Sequence, residues 1–135
     1  MTLNIVAIST ELAPAPFGHY SQAVVCDDLI YVSGQLGVRP DSSHTFDQPF
    51  QVQAHHALEN MLHIVEAAGG SRTSIIKVTA YIVGVRNWII FNQVYGSVLG
   101  ASRPARSVVP VPELHHGYLA EIDAVARQVN IAAHP

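Results

Sequence analysis

From Phe50 to Ala68 an apolar residue returns at alternating intervals of four and three, through Phe50, Ala54, Ala57, Met61, Ile64 and Ala68. Leu58, Leu62 and Val65 widen the stripe, and Gln51, Gln53, His55, Glu59, His63 and Glu66 lie largely opposite. A period near 3.6 with one wet face describes a helix that must cover another surface. Asp47 is placed to cap its start, and Gly69-Gly70 to end it. The surface to be covered is a sheet. Thr73 to Val83 is rich in β-branched residues and predicts a long strand. Earlier, Tyr20–Cys26 and Leu29–Gln35 flank the turn pair Asp27-Asp28 and predict a hairpin.

A second helix is expected after Asn87, with Trp88, Phe91, Tyr95 and Val98 spaced three, four and three, and Gly100 as its stop. Gly96 within it costs roughly 1 kcal/mol against alanine, which points to close packing there. Gly34 and Gly37 mark backbone that bends or is closely approached. Val38 to Gln48 reads as an exposed loop. The order is strand, hairpin, helix, strand, helix, strand, strand: an α/β sandwich over residues 1–135 as one domain, with one sheet and both helices on one of its faces. In the last strand, Tyr118, Ala120, Ile122 and Ala124 alternate with Leu119, Glu121, Asp123 and Val125. The second set is too apolar for bare solvent and too charged for a dry core. A subunit interface lined with a site accommodates both.

Composition supports an assembly. Hydrophobic residues make up 49% of the 135 and charged residues only 13%, too few to coat a small monomer. The net charge of −3 and seven scattered basic residues provide no stripe for a phosphate backbone, so nucleic acid is not an expected partner. One cysteine precludes an internal disulfide. No apolar run approaches the ~18–20 residues of a membrane span, and no secretory leader stands at the start, so a soluble cytoplasmic protein is expected.

The residue that carries most chemical information is Arg106, in Arg103-Pro104-Ala105-Arg106-Ser107-Val108-Val109. A guanidinium keeps its charge when buried, and its planar fork matches a carboxylate. Pro110 and Pro112 end this strand or confine it to an edge. A hairpin through Glu113–Gly117 would bring Glu121 alongside as the nearest anion. Two readings follow from the residues alone: a structural ion pair, which is the commoner situation, or a division of labour between an anion clamp and a water-activating base.

Other candidates carry less. Eight histidines include the neighbours His55-His56 and His115-His116, but no helical pair at a spacing of four encloses a glutamate, and no metal is expected. His55, His56 and His63 read as solvent-facing, while His115 and His116 are turn residues at a possible pocket rim. Cys26 precedes two aspartates, which opposes a nucleophilic thiolate. Ser33 and Ser107 lack a Gly-x-Ser-x-Gly elbow, and the glycines form no phosphate-binding fingerprint. Tyr20, Tyr31 and Tyr95 are potential donors whose default is packing with a wet hydroxyl.

Several blocks resemble, in order and spacing, the RidA (YjgF, endoribonuclease L-PSP) family: Gly18–Ala23, Tyr31–Gly37, Ala57–Asn60, Phe91–Tyr95, Pro104-Ala105-Arg106-Ser107 and Glu121–Ala124. The resemblance spans about Ala13 to Ala126. It implies a chorismate-mutase-like α/β fold, one mixed sheet with two helices on one face, a homotrimer with sites between subunits, and hydrolysis of 2-imino acids to 2-oxo acids and ammonia without metal or cofactor. It further implies that Arg106 clamps the substrate carboxylate, that Glu121 positions or activates water, and that Tyr20, Ser33, Asn92 and Val108 line the pocket. The chain departs from the family where Val108 replaces a frequent cysteine, His19 a usual proline, His115-His116 a proline and lysine, and Gly84 an aspartate. These changes border the implied cleft and bear on substrate range. The alternatives are a deaminase for a larger, aminomuconate-like enamine and a trimer that only binds carboxylates. A ribonuclease is opposed by the acidic charge.

Overall fold

A computed structural model of the chain describes residues 4–129. Six strands, β1 (Ile5–Ile8), β2 (Ala23–Cys26), β3 (Leu29–Leu36), β4 (Ile75–Val83), β5 (Ala105–Val111) and β6 (Ala120–Arg127), and two helices, α1 (Phe50–Ala67) and α2 (Trp88–Leu99), follow in the expected order. The sheet order is β1-β2-β3-β6-β4-β5, antiparallel except for the parallel β4–β5 edge pair. The β2–β3 hairpin turns at Asp27, whose φ of 57° an aspartate tolerates.

Both helices pack against each other, and α1 covers β3 and β6, which buries one sheet face. That face carries Ile30, Val32, Val78, Ala80, Ile82, Ile122, Ala124 and Ala126. Against it, α1 buries Leu58, Met61 and Ile64 completely, worth ~1.5–3 kcal/mol each. Tyr118, Ala120, Ile122 and Ala124 are all buried, in the alternation read from the sequence. The opposite face, with Ser33, Lys77, Thr79, Tyr81, Glu121, Asp123 and Val125, has no helix over it and stays partly open.

Several local expectations are corrected. The cap position before α1 is Pro49, with no side-chain cap, so Asp47 does not cap the helix. Its end is a Schellman motif: Gly69, at φ 94°, donates to the Glu66 carbonyl at 3.1 Å and Gly70 to the Val65 carbonyl at 2.9 Å. Gln53, on the polar side of the stripe, is fully buried. Its amide accepts from Leu119 N–H at 2.8 Å and donates to the carbonyls of Phe46 and Gln48, tying α1 to the approach to β6. Gly96 meets nothing within 4 Å, so helix packing does not explain it. The loop after β3 is not simply exposed, since Val38 and Thr45 are buried. Most important, β5 pairs with β4 rather than with β6, so no hairpin joins the Arg106 and Glu121 strands.

Gly37 is where β3 meets α1 most closely: a Cβ there would overlap the Gln53 carbonyl. Gly37→Ala is therefore expected to destabilise the chain by the upper part of ~1–3 kcal/mol, because the obstacle is helix backbone rather than a mobile side chain. Urea unfolding of the variant against the parent checks this, and an unchanged midpoint would contradict it.

Candidate functional site

The site begins with an irregularity in β3. Val32 faces Ala124 and Gln35 faces Ile122 on β6, so Ser33 and Gly34 form a bulge with one residue in excess. The bulge lets Gln35 return to the buried face and leaves Gly34 beside Glu121. A Cβ on Gly34 would lie 3.0 Å from Glu121 Oε2, so the glycine makes the room the carboxylate occupies. Glu121 faces away from the helices at the floor of a cavity of about 480 Å³, whose lining includes Phe17, Tyr20, Ser33, His115 and His116. Burial pushes its carboxyl above the ordinary range, His115 pulls the other way, and Asp123 adds to the rise. Asp123 is itself raised, first by burial, although Tyr81 donates to it at 3.2 Å.

The cavity wall is pinned by side chains of the same chain. Gln22, 2% exposed, donates to the carbonyls of Thr10, Ala13 and Pro14 and accepts from Thr10 N–H, holding the proline-rich loop in place. Ser33 donates to the Ser21 carbonyl at 2.6 Å, which leaves its lone pairs to accept. The Tyr20 hydroxyl accepts from Phe17 N–H at 3.2 Å. At the rim, the fully buried Tyr118 accepts from Thr45 N–H at 3.0 Å, and its hydroxyl shares a hydrogen bond with His44 Nδ1 at 2.8 Å. His44 in turn stacks with Phe46 at 4.9 Å between ring centres and lies 5.0 Å from His116.

Arg106 lies elsewhere. Its register partner on β4 is the buried Val78, so its side chain leaves the sheet on the helix side, next to α2. Nη1 donates to Asn92 Oδ1 at 3.0 Å, and Cζ stands 4.8 Å from the ring centre of Tyr95 and 6.0 Å from those of Phe91 and Trp88. Amide and rings orient the guanidinium, and among the described residues no carboxylate comes within 4.0 Å of it. A groove of about 390 Å³ opens beside it between α2 and the entry to β5. The Tyr95 hydroxyl is buried and finds no partner, so this tyrosine offers its ring face and not the wet donor expected.

The sequence-derived residues thus fall into two half-sites. Tyr20, Ser33 and Glu121 line the cavity; Asn92 and Arg106 line the groove; among the described residues none lines both. Val108 lines neither and packs against the core two residues beyond Arg106. Glu121, opposite Tyr81, and Arg106, opposite Val78, leave opposite faces of the sheet with β4 between their strands. A structural ion pair within the chain is ruled out by this placement. His115 and His116 do reach the rim. His44 and Gln22 escaped the sequence reading, because their contacts span 74 and up to 12 residues and leave no periodic trace. His19 lines neither cavity. His55 and His63 flank Glu59 on α1 at 3.8 and 3.9 Å, and among the described residues no group of three or more potential ligands is arranged for a metal. No helix among them is long and apolar enough to cross a membrane.

Comparison with known proteins identifies the family and the fold. The profile of the family described as "Endoribonuclease L-PSP" matches residues 10–128. A RutC family protein of Pyrococcus horikoshii is 38% identical over 119 residues, covering 88% of this chain and 94% of that protein. Human 2-iminobutanoate/2-iminopropanoate deaminase is 38% identical over 121 residues, covering 90% of this chain and 88% of the relative. Among solved structures, E. coli TdcF with bound serine superposes with a TM-score of 0.85 at 35% identity, covering 90% of this chain and 98% of that one.

Proposed function

As this chain belongs to the endoribonuclease L-PSP (RidA/YjgF) family, we propose that it hydrolyses 2-imino acids, such as 2-iminopropanoate and 2-iminobutanoate, to 2-oxo acids and ammonia. The observation that carries the reading is the division of the site. A guanidinium with no acidic partner among the described residues stands in one half, and a desolvated glutamate stands in the other. In this reading the chain assembles as a homotrimer, and the groove of one copy closes over the cavity of the next. The large apolar side chains left exposed at Tyr31 on the open sheet face and at Val85, Trp88 and Ile89 around the start of α2 support such an assembly.

The chemistry asks little of the protein. Arg106 takes the carboxylate next to the C=N bond, with Asn92 holding the fork in register. Glu121 accepts a proton from water as the water oxygen bonds to C2 of the protonated imine and the C=N π pair moves to nitrogen, leaving a neutral amine. Returning that proton to nitrogen creates the leaving group. As C–N breaks, the C2 hydroxyl loses its proton to Glu121 and becomes a carbonyl, and ammonia departs, taking that proton as ammonium. The iminium carbon is already electrophilic, so orientation and a positioned base supply the acceleration. Ser33 and Tyr20 line the same cavity and are assigned to holding substrate or water.

The test is a coupled assay. A threonine dehydratase generates 2-iminobutanoate, and appearance of 2-oxobutanoate and ammonia is followed with and without the protein. Acceleration proportional to protein concentration is expected. Binding of 2-oxobutanoate with no acceleration would replace this reading with a carboxylate-binding role, to which the serine-bound relative lends some support.

A further inference from the structure

The groove beside Arg106 holds more positive charge than one carboxylate needs. Arg103 lines it together with Arg106, and Gly100, also in the lining, has Arg72 close by: a Cβ on Gly100 would lie 3.9 Å from Arg72 Nη1. Three of the chain's seven basic residues therefore gather at one groove of a protein whose net charge is −3. No acidic side chain lines the groove, and among the described residues neither Arg103 nor Arg72 has a carboxylate within 4.0 Å. Like charges placed together without counter-charge oppose one another until an anion joins them. Arg106 is already oriented by Asn92 and three aromatic rings, whereas Arg103 has no hydrogen-bond partner among the described side chains.

Two guanidinium groups at one groove suit two anionic groups on one small molecule. Pro104 and Ala105 separate the two arginines, and both arginines line the groove. Two long cationic side chains lining one groove can bracket a molecule a few carbons long. Gly96 also lines the groove, and nothing stands within 4 Å of a would-be Cβ there, so the groove is open at that point.

We propose that this chain acts preferentially on 2-imino dicarboxylic acids, with Arg106 holding the carboxylate next to C=N and Arg103 the carboxylate at the far end. The inference rests on the assignment of Arg106 made above. It makes Arg103 a specificity-determining residue and places the supplying reaction among those that oxidise the amine of an acidic amino acid to an imine.

The experiment uses the full chain and imines formed in situ by flavin-dependent oxidases, from D-alanine with D-amino-acid oxidase and from D-aspartate and D-glutamate with D-aspartate oxidase. Release of 2-oxo acid is measured for the parent, Arg103→Ala and Arg103→Lys, with Arg106→Ala as the reference for the clamp. The parent is expected to prefer a diacid imine, and the kcat/KM ratio of diacid over monoacid to fall about tenfold or more in Arg103→Ala, the scale of one lost charge-assisted hydrogen bond. Arg103→Lys should restore part of the ratio, and the C4 and C5 arms report which length the groove takes. A ratio unchanged within twofold, alongside Arg106-dependent turnover of the monoacid, overturns the role of Arg103 and leaves the parent reading standing. Equal losses on every substrate with altered sedimentation would mean that Arg103 serves assembly, which also overturns it. If the parent accelerates neither class of imine, the deaminase reading fails and the inference fails with it.

Discussion

Arg106→Ala is expected to lower kcat/KM for 2-iminobutanoate by about 10²–10³-fold while the fold survives. The magnitude follows from truncating one partner of a desolvated, hydrogen-bonded charge pair, which costs ~3–4 kcal/mol. Survival of the fold follows from position. β5 is an edge strand, Arg106 is only partly buried, and its known contacts are one hydrogen bond to Asn92 and aromatic faces worth roughly 1 kcal/mol. Arg106→Lys sharpens the result, since a lysine keeps the charge but not the two-pronged geometry, and its deficit should appear mainly in KM. Steady-state kinetics in the coupled assay, with circular dichroism and sedimentation on the same samples, separate chemistry from unfolding. Activity within threefold of the parent in a folded Arg106→Ala protein would remove Arg106 from the mechanism.

Glu121→Gln should produce the second large effect, and in two opposite directions. Loss of the base is expected to reduce kcat by about 10²–10⁴-fold with a smaller change in KM. Thermal stability at neutral pH should rise. The sign follows from the folded-state carboxyl being held above its ordinary range by burial. A carboxyl raised on folding favours the folded state below its unfolded pKa, and that contribution is lost as pH rises through the folded value. At pH 7 the ionised Glu121 thus opposes folding, and the neutral amide relieves it. The gap between the two proteins should close as pH falls toward the carboxylate range. The same shift displaces the acid limb of kcat/KM above that of an ordinary glutamate, and His115→Ala should displace it further, because His115 favours the charged form. Melting curves and pH–rate profiles check both halves. A Glu121→Gln protein with parental kcat would end the base assignment, and one less stable than the parent at pH 7 would end the account of its burial.

The two half-sites differ in how far they are legible without coordinates. Arg106 stands out because a fixed cation in an apolar, proline-bounded strand has few explanations. Glu121 stands out because it breaks the aliphatic side of an otherwise alternating strand. What misleads is their nearness in the chain. Fifteen positions and a turn suggest a hairpin, whereas β6 inserts between β3 and β4 and leaves β5 to pair in parallel with β4 at the edge. Asn92 was placed by resemblance alone, and its bond to Arg106 needs a helix and a strand to be docked before it can form. The bulge at Ser33-Gly34 is hinted at by the glycine, but its consequence depends on Glu121 arriving opposite.

The sequence by itself determined everything that repeats along the chain: the stripe of α1, the spacing of α2, the alternation of β6, and the two ionic residues that interrupt these patterns. Periodicity assigns a side chain to a face because backbone geometry within one element is local. Tertiary structure alone decided which strand lies beside which, that Arg106 and Glu121 leave opposite faces of the sheet, and that His44 meets Tyr118 across 74 positions. Those outcomes follow from burying one common face under both helices. That burial is a property of the whole chain, and no segment of it carries a signal for its neighbour.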